Sequence, residues 1–240
     1  EAEDIARRAD DPALLAFALN GVFMQSFHRA GLAARRDGIG AELVDLAAPR
    51  GLVTFQVLGH LVRVQARSAL ADLAGAARRA AAADRLAERH ELPLVAVFTA
   101  WYRALRLAVA GDAPLPEVEA AYRDAARRLD GAGMPGLDHG LLALALLCLH
   151  VGRDRPAVAG TDDRLDWGPY EPWARPLLLL DRGDRAAAAA ALHDVPDPPR
   201  DHLQEALWCL TARAAIALGD PPVMRRSLTA LGPAAGELAG

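Results

Sequence analysis

Apolar residues in the stretch 52–90 (LVTFQVLGHLVRVQARSALADLAGAARRAAAADRLAERH) recur three or four positions apart. Phe55, Leu58, Leu61, Val62 and Ala66 fall on one side of a helix. After a break at Ala71-Asp72-Leu73, a second run places Ala76, Ala80, Ala83 and Ala87 on one face. Small side chains on that face let two helix backbones approach closely, as in antiparallel pairs with short connections. Pro93 opens the next element, because its missing N–H is not needed in a first helical turn. The predicted unit is a helix-turn-helix hairpin.

The rest of the chain repeats it. Residues 1–9 read as the tail of a helix, and Asp11-Pro12 is a start signal, a capping acid followed by proline at the first helical position. The helix predicted over 12–28 is apolar on nearly all sides (LLAFAL, VFM), which predicts burial between neighbours. Gly31 breaks it. A partner follows over 32–48, weakened by Gly38 and Gly40, and Pro49-Arg50-Gly51 ends the pair. A third pair spans 93–129 with its turn at Gly111-Asp112, Pro114 and Pro116. GAGMPG at 131–136 is a loop, and 137–151 is another buried helix. The helical pattern then fails over 152–172, an ordered loop or irregular hairpin. Short helices are expected over 172–182 and 184–193. A proline-rich break (VPDPP) precedes a helix over 200–218, and Pro221-Pro222 open the last one.

Ala71-Asp72, Gly111-Asp112, Gly183-Asp184 and Gly219-Asp220 occupy equivalent places between paired helices. Pair starts near 12, 52 and 93 lie about 40 residues apart, and 184 to 220 spans 36. Such periods, with a small residue and Asp at the inner turn, resemble tetratricopeptide (TPR) units, although that motif's first-helix tryptophan, glycine and tyrosine pattern is absent. The expected fold is all-α: a right-handed α-α superhelix of TPR-like hairpins, with 1–240 as a single domain.

Composition narrows the chemistry. Alanine and leucine carry the 52% hydrophobic content, and both favour helix. A net charge of −4 with mixed signs predicts neither direct nucleic-acid nor membrane binding. All 27 basic residues are arginine, consistent with the coding bias of a GC-rich genome. Without lysine there is no Walker A loop, kinase-type lysine or Schiff-base nucleophile. Cys148 and Cys209 lie in apolar runs, where thiols act as small core hydrophobes, and a reduced cytoplasmic setting fits. No signal peptide is visible, and the longest apolar run, 141–149, is too short to span a bilayer.

Several clusters bear on binding. Gln56, His60, Arg63 and Arg67 form one polar stripe at helical spacing. Arg63, Arg103 and Arg175 each precede a turn aspartate (72, 112, 184) by nine residues, so stacked repeats would set them in a ladder able to hold carboxylates or phosphates. A solvated face, or pairing with acids on neighbouring helices, is the competing reading. WGPYEPW concentrates Trp167, Tyr170 and Trp173 among prolines, either a ligand or partner platform or a plug for an interrupted repeat. Five Arg-Arg pairs (7–8, 35–36, 78–79, 127–128, 225–226) read as solvated outer surface. His193, Asp194, Asp197, Asp201 and His202 match no standard metal spacing and are better read as caps and turns. No serine lies in a G-x-S-x-G elbow, His90-Glu91 lacks a second histidine, and Cys148 and His150 point to different sides of one helix. No enzyme is expected.

Long segments, among them DPALLAFALNGVFMQSFHRAGLAARRD, LVTFQVLGHLVRVQARSALADLAGA, WGPYEPWARPLLLL and VPDPPRDHLQEALWCLTARAAIALGD, resemble one known protein region. It is the C-terminal helical-repeat region of large Streptomyces antibiotic regulatory protein (SARP) type activators, the AfsR-like regulators of actinobacteria. ATP-dependent LuxR-type regulators carry similar repeats. The resemblance covers nearly the whole chain and implies an N-terminal winged-helix DNA-binding domain, a bacterial transcriptional activation domain and an ATPase, all outside these residues. It therefore implies a fragment of a longer regulator, with ATP bound only elsewhere and no cofactor in this region. The implied role is to bind a small-molecule, peptide or protein effector and to control the regulator's own ATPase and DNA-binding domains. A structural scaffold is the alternative.

Overall fold

The computed structural model describes residues 2–129, 132, 134, 139–157 and 165–239. It is all-α, a helical-repeat fold whose helices pack on their chain neighbours. Among the described residues there is no strand. The chain divides into two compact units. The first comprises 1–102, 200–202 and 232–240, and the second 103–199 and 203–231.

The first unit holds α1 (Ala2–Arg8), α2 (Pro12–Gln25), α3 (Ala33–Ala47), α4 (Val53–Ala69), α5 (Leu73–His90) and the start of α6 (Leu94–Ala110). Asp11 caps α2 as its sequence implies, accepting from the Ala13 and Leu14 N–H groups at 2.9 and 3.2 Å. α2 buries Ala16 and Leu19 against Ile39 and Leu43 of α3. Its opposite face is open: Phe17 is 68% and Met24 60% exposed. That corrects the expectation of burial on all sides, because α1 and α3 cover only part of an all-apolar helix. The α3–α4 contact is close because Gly40 and Gly59 face each other. A β-carbon on either would lie 2.9 Å from the other's carbonyl oxygen. Gly40 is thus a packing device rather than a weak point. The α4–α5 hairpin packs Val64 on Ala76 and Ala80 together with Tyr102, and Val57 on Ala83 and Val95, so the alanine face does what its spacing implies.

One contact in this unit joins distant parts of the chain. The segment from Gly232 returns to α3, whose N-cap Leu32 provides no side-chain acceptor. Glu237 supplies one, taking the Ala33 N–H at 3.0 Å. The same carboxylate lies 3.7 Å from the Arg36 guanidinium, which is 1% exposed and stacks over Phe27 at 4.8 Å.

The second unit holds the remainder of α6, then α7 (Leu115–Leu129), α8 (Leu141–Gly152), α9 (Glu171–Asp181), α10 (Arg185–His193), α11 (Gln204–Leu218) and α12 (Pro221–Leu231). Leu144, Leu147, Leu177, Leu192, Leu207 and Leu210 anchor its core. α7 and α8 are joined by buried His150, with Nε2 2.8 Å from Glu119 and Nδ1 3.2 Å from the Pro156 carbonyl. α8 begins at Leu141. Residues 135–138, at its expected start, and 158–164, within the expected irregular stretch, lie outside the described residues, as does most of the loop expected over 131–136.

The recurring turns have a shared mechanism. Ala71, Gly183 and Gly219 adopt positive φ (59°, 80° and 74°), which ends one helix. The aspartate that follows caps the next: Asp72 accepts from Gly75 N–H at 2.8 Å, Asp184 from Ala187 and Asp220 from Val223, each at 3.0 Å. Gly111 also has positive φ, but α7 starts only at Leu115, beyond capping reach of Asp112.

Candidate functional site

α4 presents Gln56, His60, Arg63 and Arg67 along one side, as their spacing requires. The structure shows what they meet. Asp37 of α3 is bracketed by two arginines. Its Oδ1 accepts from Arg63 Nε at 2.9 Å and Arg67 Nε at 3.0 Å, and its Oδ2 from Arg67 Nη2 at 3.0 Å and Arg63 Nη2 at 3.5 Å. Burial acts to raise the Asp37 carboxyl, but the two arginines outweigh it and hold its pKa below the ordinary aspartate value. Arg67 also donates from Nη1 to Asp72 Oδ2 at 2.6 Å, while Asp72 Oδ1 caps α5. Gly75 makes this reach possible, since a β-carbon there would lie 2.7 Å from Arg67 Nη1. Three helices are therefore tied by one ionic network.

This corrects the expected role of Arg63. It is an ion-pair partner of the neighbouring helix, as the competing reading held, and not a ladder arginine awaiting a ligand. His60 is only 6% exposed, and its Nδ1 is buried without a hydrogen bond among the described residues. Burial, then Arg79, Arg63 and Arg85, lower its pKa to about 4, so the ring is neutral at pH 7. Gln56 is half-buried one turn before it.

Arg79 on α5 is the member that sequence reasoning missed. Arg78-Arg79 was expected on the outer surface with the other arginine pairs. Arg78, Arg35 and Arg225 are exposed, but Arg79 is half-buried and Arg36 fully buried. Helical periodicity carries the signal: Arg79 lies seven residues after the cap Asp72, hence on the side where Arg67 crosses Gly75. Arg79 forms no ion pair among the described residues, and its Nε is buried without a hydrogen-bond partner.

The other expected residues belong to the second unit. Arg103 is exposed on α6. Arg175 is exposed on α9, 3.8 Å from Glu171 one turn earlier. It edges an open groove of about 400 Å³ between α9 and α10, floored by Leu179, Ala187, Ala190 and Ala191, with Asp194 at its rim. The aromatic segment is not a platform. Tyr170 and Trp173 (7% exposed) are core residues, and Trp167 packs against the same cluster. The segment docks on the start of α8, where Gly140 at φ 79° leaves room for the Trp167 carbonyl. It fills an apolar gap, the alternative its sequence left open.

His193 pairs with Asp220 at 2.7 Å, Asp197 with Arg226 at 2.7 Å, and His202 lies edge-on to Phe27. Among the described residues no group of three or more His, Cys, Asp or Glu is placed to hold a metal ion. Cys148 and Cys209 are both free thiols, and burial pushes Cys148 up to about 12, which makes it inert. Among the described residues no helix is long and apolar enough to cross a membrane.

Comparison with protein-family models, with curated proteins and with solved structures finds no match for this chain.

Proposed function

We propose that this chain is a regulatory helical-repeat module of an AfsR-like transcriptional activator of antibiotic biosynthesis. In this reading it binds an effector or protein partner and controls ATPase and DNA-binding domains that lie outside it. The long similar segments support the family, and the all-α repeat fold is compatible with it. One observation carries the regulatory role: Asp37, Arg63, Arg67 and Asp72 tie α3, α4 and the start of α5, and Arg79 stands half-buried in their field. A ligand acting on that network touches three helices at once, which is how a local binding event biases an arrangement of repeats.

A scaffold reading is favoured by a different feature, the apolar outer face of α2 at Leu14, Phe17 and Met24. There the surface only packs on the protein's own ATPase domain or on a second protomer. A LuxR-type regulator would use the same repeats.

The test is made in the full-length protein. The coding sequence contiguous with this chain should encode an ATPase and a winged-helix domain. Removing the repeat region should change ATP hydrolysis or promoter activation severalfold. Unchanged rates of both would leave only the scaffold reading, and a coding sequence with neither domain would refute the family assignment.

A further inference from the structure

The geometry points to an oxyanion-binding site on the α4–α5 face, where Arg79, with Arg63 and Arg67 beside it, receives a phosphate or carboxylate group. This deepens the regulatory reading by naming the chemistry of its effector.

The charge count around Arg79 carries the inference. Arg63, Arg67 and Arg78 act on it as like charges, and Asp37 as an opposite one. A carboxylate offers about four acceptor positions. Asp37 uses four, two for each of the other arginines, so it has no lone pair left for Arg79. Asp72 accepts from Arg67 on one oxygen and from the Gly75 N–H on the other, and makes no ion pair with Arg79 among the described residues. Arg79 thus stands half-buried among like charges with an unmatched Nε–H. Desolvated cations without a counter-charge are unfavourable, and an incoming anion relieves that. The planar guanidinium presents paired donors that match a carboxylate or phosphate edge. His60, neutral and buried beside the same arginines, adds no competing charge.

A structural staple alone would need only Arg63, Arg67, Asp37 and Asp72. Arg79 adds nothing to it and raises the local positive potential. That is the signature of a site whose counter-ion comes from outside the chain.

The full chain should be titrated at constant ionic strength with inorganic phosphate, with acetate and with chloride, following the thermal midpoint and binding heat. Phosphate or acetate should stabilise the protein saturably beyond chloride, and the stronger arm identifies which oxyanion source the site takes. Arg79→Gln should weaken that binding about tenfold with an unchanged helical circular dichroism spectrum, while the exposed control Arg225→Gln should leave it intact. Should Arg79→Gln unfold the chain, the wild-type Arg79 Nε–Hε resonance provides the readout and must shift on anion addition. No excess stabilisation over chloride, an Arg79→Gln variant that binds as the wild type does, or an unmoved Arg79 resonance overturns the site. Failure here leaves the ATPase and promoter tests of the family reading untouched, and failure there leaves this titration standing.

Discussion

Gly40 and Gly59 sit back to back where α3 meets α4, each in the space a β-carbon of the other would need. A methyl group on Gly40 would also press on Arg63 Cγ at 2.6 Å, so this contact sets how Arg63 approaches Asp37. Gly38, two residues earlier, is exposed on the same helix with nothing within 4 Å of its missing β-carbon.

The two glycines of α3 should therefore respond oppositely. Gly40→Ala forces the helices apart and should destabilise by about 2 kcal/mol. Gly38→Ala removes only unfolded-state freedom and should stabilise by about 0.7 kcal/mol. Urea midpoints of the two variants decide it, and equal signs would contradict the packing.

Sequence reasoning read both glycines as weakening the helix, because spacing within one helix is blind to the helix opposite. The elements themselves were legible. The capping Asp11, the turn aspartates at 72, 184 and 220 and the alanine periodicity on α5 are local signals, and in the structure those turn aspartates cap the helices that follow. The site was half legible. The stripe from Gln56 to Arg67 lies on one side as expected, but Asp37 is 26 residues before Arg63 and only the α3–α4 crossing brings them together. Arg79 was hidden inside a repeated Arg-Arg pattern whose two members face different environments. Glu237 was invisible, since its contact with Ala33 closes 204 positions of chain.

Breaking the bracket at Asp37 should be costly. Asp37→Asn leaves Arg63 and Arg67 without their shared carboxylate, an expected loss of about 2 kcal/mol given its partial exposure. In a double-mutant cycle, Arg67→Gln should cost much less in the Asp37→Asn background than in the wild type. Additive losses would show that the pair is not coupled.

Glu237 should matter out of proportion to its place near the end of the chain. Glu237→Ala removes the acceptor for the Ala33 N–H and a carboxylate from beside buried Arg36, an expected loss of about 2 kcal/mol. Hydrogen exchange should accelerate first at the start of α3. Unaltered exchange there would show that the returning segment does not cap the helix.

Stability should fall on acidification in a window set by His60. Its folded pKa of about 4 lies below the ordinary 6.5, so between these values the unfolded chain binds the extra proton. Its contribution is complete above pH 6.5 and is lost progressively down to pH 4, on the order of 3 kcal/mol. The depressed carboxyl of Asp37 adds a further loss as pH falls through its own pKa, below 3.8. Replacing His60 with leucine should flatten the upper window and leave the lower one. A slope between pH 6.5 and 4 that persists in that variant would assign it to other groups.

The titration of His60 by NMR, with and without sulfate, reads the arginine field itself. Sulfate keeps its double charge across this range, so the ligand does not titrate alongside the ring. In chloride the midpoint should lie near 4, because burial and Arg79, Arg63 and Arg85 all oppose a second proton on the ring. An anion seated on Arg79 cancels part of that field, and saturating sulfate should move the midpoint upward at constant ionic strength. A midpoint already near 6.5 in chloride, or one that sulfate leaves in place, would contradict a half-buried arginine cluster built to receive an anion.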